Sequence, residues 1–188
     1  MAAAEVWKFA PAYELPTWPH VRAPDLDARE RIRYPVVIAG GGLSGLTLAC
    51  DLLLRGVEVV VLDEDDTVGV RGASSRGICY AQKSLEIFAR LGVYEQIRTK
   101  GITWSVGRTF SGADEVYSFD LEDDRRSEQP PFINLQQFYV EWFLVDRIRD
   151  LGHCDLRWKN KVVSVTQADE EVTVTVETPA GGYQLVAD

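Results

Sequence analysis

Residues 34–63 read YPVVIAGGGLSGLTLACDLLLRGVEVVVLD, and this stretch decides the fold. Val36 to Ala39 is an apolar, β-branched run without alternation, the pattern of a parallel strand covered on both faces. Gly40, Gly42 and Gly45 follow at once in G-x-G-x-x-G spacing. Leu43 to Arg55 then carries apolar residues at helical intervals until Gly56 stops it. Val57 to Leu62 is a second buried strand, and it ends in an acid, Asp63. Strand, glycine turn, helix, strand and terminal acid, in that order, predict a βαβ dinucleotide-binding unit.

Each position has a physical reason. Gly40 permits the tight turn out of the strand, Gly42 lets backbone approach a pyrophosphate with no Cβ in the way, and Gly45 lets the helix pack against the sheet. The N–H groups at the helix start, Leu43 and Ser44 among them, hold an anion without any basic side chain, helped by the positive end of the helix dipole. Asp63 is placed to accept hydrogen bonds from ribose hydroxyls. An acid there disfavours a 2′-phosphate, which argues against NADP at this unit and leaves NAD and FAD open.

Outward from this unit, composition sets limits. The chain has 188 residues, 46% apolar and 26% charged, which suits one globular core. A net charge of −9 with no clustered basic stripe argues against nucleic acid or an anionic membrane surface as a partner. Cys50, Cys79 and Cys154 are odd in number and widely spaced, so neither a disulfide framework nor a metal site is indicated. No basic region leads into an apolar run at the N-terminus, and Val36 to Cys50 is too short to span a membrane, so a cytoplasmic protein is expected. His20 and His153 read as surface histidines rather than catalysts.

Residues 1–33 hold four prolines and scattered aromatics (Trp7, Phe9, Tyr13, Trp18) and read as an irregular arm, anchored by its aromatics on the chain's own surface or, alternatively, on a partner subunit, with a short exposed helix over Asp25 to Arg33. Residues 34–188 form the cofactor-binding domain. Glu64 to Gly77 is a polar, glycine-rich loop beyond the carboxyl end of a strand, where ligands bind, so Arg71 and Arg76 are candidates for phosphate contacts. Gln82 to Leu91 is an amphipathic helix and Tyr94 to Thr99 a short turn. Residues 102–119 alternate as a β-hairpin, Leu121 to Gln129 is a charged loop, and Phe132 to Leu135 is a short strand. Gln136 to Leu151 is a second long helix. Leu156 to Trp158, Val162 to Gln167, Val172 to Thr178 and Tyr183 to Val186 predict a three- or four-stranded antiparallel meander.

Four segments carry a family likeness: VVIAGGGLSGLTLA (36–49), VVVLD (59–63), SSRGICYAQKSLEIFARLG (74–92) and FINLQQFYVEWFLVDRI (132–148). From Tyr34 onward they resemble the N-terminal part of the class A flavoprotein monooxygenases, the FAD-dependent aromatic hydroxylases, and most of all the branch of 3-(3-hydroxyphenyl)propionate hydroxylase. The resemblance implies an α/β, Rossmann-like FAD-binding βαβ unit with an antiparallel meander, and a hairpin at 102–119 facing a substrate domain. It implies FAD with Gly40, Gly42, Leu43, Ser44 and Gly45 at its pyrophosphate and Asp63 and Glu64 at the adenosine. By the same resemblance Arg76 reaches back to the cofactor, Gln137 lies near the pyrophosphate and ribityl chain, and the backbone of Val162 lies near the adenine. Adjacent Gln136 leaves that glutamine register open by one, and a side chain capping its own helix is an alternative reading of Gln137.

The reaction so implied uses NAD(P)H and oxygen to hydroxylate a small phenolic substrate through a flavin C4a-hydroperoxide. Family members continue into an Asp-Gly motif, a substrate domain and a Gly-Asp motif, none of which this chain carries, so it is expected to be part of a longer enzyme, with a homodimer of that protein allowed. Another flavoenzyme of the superfamily (dehydrogenase, halogenase or epoxidase) and a non-catalytic nucleotide-binding module are the rival readings. Too few helices are legible to cover the parallel strands, so open apolar surface is expected.

Overall fold

In the computed structural model, which describes residues 14–69, 78–121, 128–169 and 171–188, the glycine stretch folds into β2 (Val37–Ala39), α1 (Leu43–Leu54) and β3 (Val59–Asp63). β2 and β3 pair in parallel, Val37 opposite Val60 and Ala39 opposite Leu62. The other neighbour of β3 is β9 (Cys154–Trp158), again parallel, with Val59 opposite Cys154 and Asp63 opposite Trp158. Leu156 to Trp158 therefore does not open the meander, as its pattern suggests, but completes the parallel sheet. A short apolar run fits either sheet by pattern alone. What decides is the preceding helix, α4 (Gln137–Leu151), which packs along α1 and delivers the chain to the open edge of β3.

The unbroken apolar run of β3 has two different destinations. Side chains alternate across a strand. Val59 and Val61 enter a core with Leu46, Ala49 and Cys50 of α1 and Phe138, Leu144 and Val145 of α4. Val60 and Leu62 enter a second core with Val174, Val176, Tyr183 and Leu185. Those last four residues belong to the meander of β10 (Lys161–Gln167), β11 (Val172–Thr178) and β12 (Gly181–Ala187), antiparallel throughout. Both faces of the parallel sheet are thus covered.

The far edge of the meander is taken by β1 (Ile32–Tyr34), which lies parallel to β12 with Ile32 opposite Leu185. The short exposed helix expected over Asp25 to Arg33 is absent: only Pro24–Leu26 forms a 3-10 turn. Asp25 is in fact buried. Its Oδ2 accepts hydrogen bonds from Arg157 Nη1 (2.7 Å) and from the Tyr34 hydroxyl (3.0 Å). Arg157 also pairs with Asp155 (2.7 Å) and donates to the Tyr34 and Tyr183 hydroxyls, and Tyr183 donates in turn to Asn160 Oδ1 (2.7 Å). Burial works against the Arg157 charge, but its bonds to Asp155 and Tyr183 outweigh that, so its pKa rises. Asp25 alone of this charged stretch is internal, while Asp27, Arg29, Glu30, Arg31 and Arg33 stay exposed; its partner Arg157 lies 132 residues away, beyond any local pattern.

The arm packs on the chain itself where it is described. Trp18 stacks on Trp158 with ring centroids 4.5 Å apart, and its backbone N–H donates to Asp66 O at 2.8 Å. Trp7, Phe9 and Tyr13 lie outside the described residues.

A small antiparallel sheet of β4 (Cys79–Ala81), β8 (Phe132–Asn134) and β5 (Ile102–Trp104) accompanies α2 (Gln82–Leu91) and α3 (Tyr94–Lys100). The hairpin read over 102–119 is divided: β5 joins β8, and the hairpin proper is β6 (Val106–Ser111) with β7 (Asp114–Asp120). Here the open apolar surface is found. Ile102, Phe110, Val116 and Tyr117 are all more than half exposed. Ile102 is on β5 and the other three are on the hairpin; none is on the parallel sheet, whose second face the meander covers. No helix among the described residues is long and apolar enough to cross a membrane.

Removing one partner of a buried ion pair leaves the other uncompensated. Asp25→Ala should lower unfolding stability by about 3–5 kcal/mol, and Asp25→Leu combined with Arg157→Met should recover much of that loss. Chemical denaturation of the three proteins measures it, and a single variant as stable as wild type would remove the network from the account.

Candidate cofactor site

At the end of β2 the chain is still tied to β3: Gly40 N–H donates to Leu62 O at 2.8 Å. Gly40 then takes a φ of +108°, which turns the chain away from the sheet. Gly42 caps α1 in extended conformation, with no side chain to satisfy the first turn. Two N–H groups of the turn are used within the protein: Gly41 donates to Asp63 Oδ2 (2.6 Å) and Leu43 to Glu141 Oε1 (3.1 Å). Those of Gly42, Ser44 and Gly45 have no partner among the described residues. Unpaired donors at a helix start, at its positive end, form an anion cradle.

The glycines differ in what they permit. A Cβ on Gly45 would collide with the Gly40 carbonyl oxygen and stand 3.2 Å from Ile38 Cγ2, so α1 could not lie this close to β2 with any other residue. A Cβ on Gly42 would meet only Glu141 Oε1, at 3.8 Å, so no protein packing requires glycine there. Space at Gly42, close packing at Gly45 and three unpaired N–H groups fit the diphosphate of a dinucleotide such as FAD.

Asp63 sits at the carboxyl end of β3 beside this turn. Its Oδ1 accepts from Asp65 N–H (2.8 Å) and its Oδ2 from Gly41 N–H, which leaves lone pairs for further donors. Burial pushes the Asp63 carboxyl above the ordinary aspartate range, and the N–H groups of Asp65 and Gly41 partly counter this. Beyond it a cleft of about 540 Å³ is lined by Glu64, Asp65, Asp66, Lys159, Lys161, Glu177, Thr178 and Pro179. Lys161 Nζ meets Glu64 Oε2 at 3.2 Å, and Lys159 Nζ meets Asp66 Oδ2 at 2.6 Å. A smaller cleft of about 300 Å³ opens at the opposite, amino-terminal ends of the strands, between Tyr34, Val59 and Cys154. Ligands of open α/β sheets bind at the carboxyl ends, which favours the glycine-turn side.

Of the residues singled out from sequence, Gly40, Gly42, Leu43, Ser44, Gly45 and Asp63 come together around the start of α1. Gln137 joins them indirectly, donating from Nε2 to Glu141 Oε1 at 2.7 Å, while Gln136 is the helix N-cap. Glu64 and Val162 lie apart from the turn: Glu64 on the cleft wall, Val162 on β10 next to Lys161, its side chain packed against the second core. Arg71 and Arg76 lie outside the described residues. Sequence reasoning missed Gly41 and Glu141. Glu141 carried a signal, since it falls at helical spacing from Phe138, Leu144 and Val145 and is therefore an acid on a core face.

Comparison with known proteins agrees with this geometry. The family model for the FAD binding domain matches residues 33–188. A flavin-dependent monooxygenase of Mycobacteroides abscessus is 32% identical over 149 residues, covering 75% of this chain and 30% of that protein. Among solved structures, p-nitrophenol 4-monooxygenase PnpA of Pseudomonas putida DLL-E4 superposes with a TM-score of 0.77 at 29% identity, covering 84% of this chain and 40% of that one. The flavin-dependent monooxygenase PieE, in complex with FAD and substrate, gives a TM-score of 0.73 at 25% identity, covering 84% and 29%. The chain spans about a third of the length of the curated relatives it matches. With the family model matching 156 of its 188 residues (33–188), the chain belongs to the FAD-binding domain family, and its fold is that of the class A flavoprotein monooxygenases.

Proposed function

We propose that this chain is the FAD-holding part of an NAD(P)H- and oxygen-dependent monooxygenase that hydroxylates a small phenolic substrate. The observation that carries the reading is the cradle: three unpaired N–H groups at the start of α1, with Asp63 alongside at the end of β3. In this reading Gly40, Gly42, Leu43, Ser44 and Gly45 surround the pyrophosphate and Asp63 accepts from the adenosine ribose. Glu64 and Val162 flank the adenine, and Gln137 and Arg76 complete the cofactor contacts. Residues 34–188 make up the cofactor unit and residues 1–33 the arm. The reading puts the protein in the cytoplasm, where NAD(P)H is available, and allows a homodimer.

Bound FAD supplies the redox chemistry, the passage of electrons from nicotinamide to oxygen and then oxygen insertion. The chain's own residues bind and orient. The α1 dipole and N–H groups receive the diphosphate, and Asp63 fixes the adenosine end, so that the flavin's position is set by rigid elements. Support for a phenolic substrate comes from relatives named for para-nitrophenol and for 3-(3-hydroxy-phenyl)propionate/3-hydroxycinnamic acid. Others are named for rifampicin and anhydrotetracycline, so a placement in the hydroxyphenylpropionate branch stands as one proposal among several, to be decided by substrate.

The purified protein is expected to bind FAD with flavin absorbance, and the enzyme that contains it to oxidise NAD(P)H faster when a small phenol is added, with hydroxylated product formed. A colourless protein that takes up NAD and not FAD would sink the reading. Flavin uptake without phenol-stimulated NAD(P)H oxidation would favour the non-hydroxylating rivals. Gly42→Val should abolish flavin retention through purification, because its side chain would fill the cradle.

Asp63 adds a pH test. Its folded pKa is raised, so the folded state holds this proton more tightly than the unfolded chain, and ionising the carboxyl costs stability as pH rises through the folded value. Ribose donors favour the ionised form and offset that cost. FAD affinity should therefore fall on acidification with a midpoint above about 3.9, the ordinary aspartate value. Asp63→Asn should abolish that step, and Asp63→Ala should weaken FAD by about 1–3 kcal/mol. Affinity measured by flavin fluorescence against pH checks both, and an identical profile in Asp63→Asn would move the ribose contact elsewhere.

A further inference from the structure

Glu141 is 2% exposed, on a helix face otherwise made of Phe138, Leu144 and Val145. A carboxylate in such a place is costly unless donors surround it. Its donors come from three parts of the chain. Oε1 accepts from Leu43 N–H (3.1 Å) and Gln137 Nε2 (2.7 Å), and Oε2 accepts from Gly69 N–H (2.9 Å). Leu43 is the first residue of α1, and Gly69 ends the described stretch that follows β3. One side chain from α4 therefore fastens the glycine turn to the stretch that follows β3.

Gly69 is fixed from the same helix. Its φ is +85°, and a Cβ there would stand 2.8 Å from Phe138 Cβ. Behind Gly42, Glu141 Oε1 is the nearest atom to a built Cβ, so the carboxylate lies directly against the turn.

A buried anion next to the positive end of α1 has no obvious place in a site for a second anion, since like charges at one helix end repel. The bonding pattern resolves this. The carboxylate uses the Leu43 N–H and leaves those of Gly42, Ser44 and Gly45 unpaired. We infer that Glu141 is a positioning residue for the cofactor: by binding Leu43 and Gly69 together it holds the turn in the conformation whose remaining N–H groups receive a diphosphate. This rests on the FAD reading above, and it adds a residue that neither the glycine spacing nor the terminal acid points to.

The test compares Glu141→Gln and Glu141→Asp with wild type by FAD titration, thermal unfolding and visible circular dichroism of the bound flavin. The amide presents a donor where a backbone N–H now donates, and the aspartate withdraws the carboxylate by one methylene, so each breaks at least one of the two backbone bonds. Both variants should raise the Kd for FAD about tenfold or more, the scale of a lost charge-assisted hydrogen bond, and alter the flavin dichroism at saturation. Leu144→Ala, a cavity on the same helix, should lower the melting temperature while leaving Kd and dichroism as in wild type. Wild-type Kd and dichroism in both Glu141 variants would overturn the inference and leave the FAD reading standing. A wild-type protein that takes up no FAD would overturn both. Should Glu141→Gln fail to fold, the aspartate variant alone decides, because it keeps the charge and loses only the reach.

Discussion

Val59 to Leu62 are buried to within a few per cent because α1 and α4 press on one face of β3 while the meander presses on the other. Everything functional in the chain is hung on that strand. β2 and β9 pair on either side of it, the glycine turn returns to it through Gly40, and Asp63 is its last residue. At roughly 1.5–3 kcal/mol for each fully buried aliphatic side chain, the four residues together stabilise the fold by an amount comparable to the net stability of a typical domain. Such rigidity serves the site. A cradle of backbone N–H groups cannot adjust as side chains can, so the strand and helix that aim it must not move.

Two kinds of buried polar group break the apolar pattern, and they lie on opposite faces of the parallel sheet. Arg157 with Asp25, Asp155, Tyr34 and Tyr183 ties the N-terminal segment to β9 and the meander. Glu141 ties α4 to the glycine turn and to Gly69. Each costs desolvation that apolar residues would avoid, and each joins segments far apart in sequence. The first fixes the frame and the second fixes the site within it.

The βαβ unit was legible because its determinants are local: the strand pattern, glycine spacing, helix period and terminal acid all lie within residues 34–63. The same holds for α2, α4 and the three meander strands, whose boundaries fall within a few residues of those expected. What sequence did not disclose depends on partners remote in the chain. Ile32–Tyr34 is a strand only because β12 is there to pair with it, and Cys154–Trp158 is parallel only because α4 delivers it to β3. Asp25 looked exposed because Arg157 could not be seen from it. Within the site, the anion cradle was readable from glycine spacing, whereas Gly41 and Glu141 act through contacts at long range, Gly41 on the very acid that the motif identifies.

The central claim is that backbone N–H groups at the start of α1 hold the cofactor's diphosphate. Amide hydrogen exchange followed residue by residue, with and without saturating FAD, tests it most directly. The account predicts that FAD slows exchange at Gly42, Ser44 and Gly45, while Gly41 and Leu43, already bonded to Asp63 and Glu141, change little. Bound FAD that leaves the exchange of Gly42, Ser44 and Gly45 unaltered would contradict it.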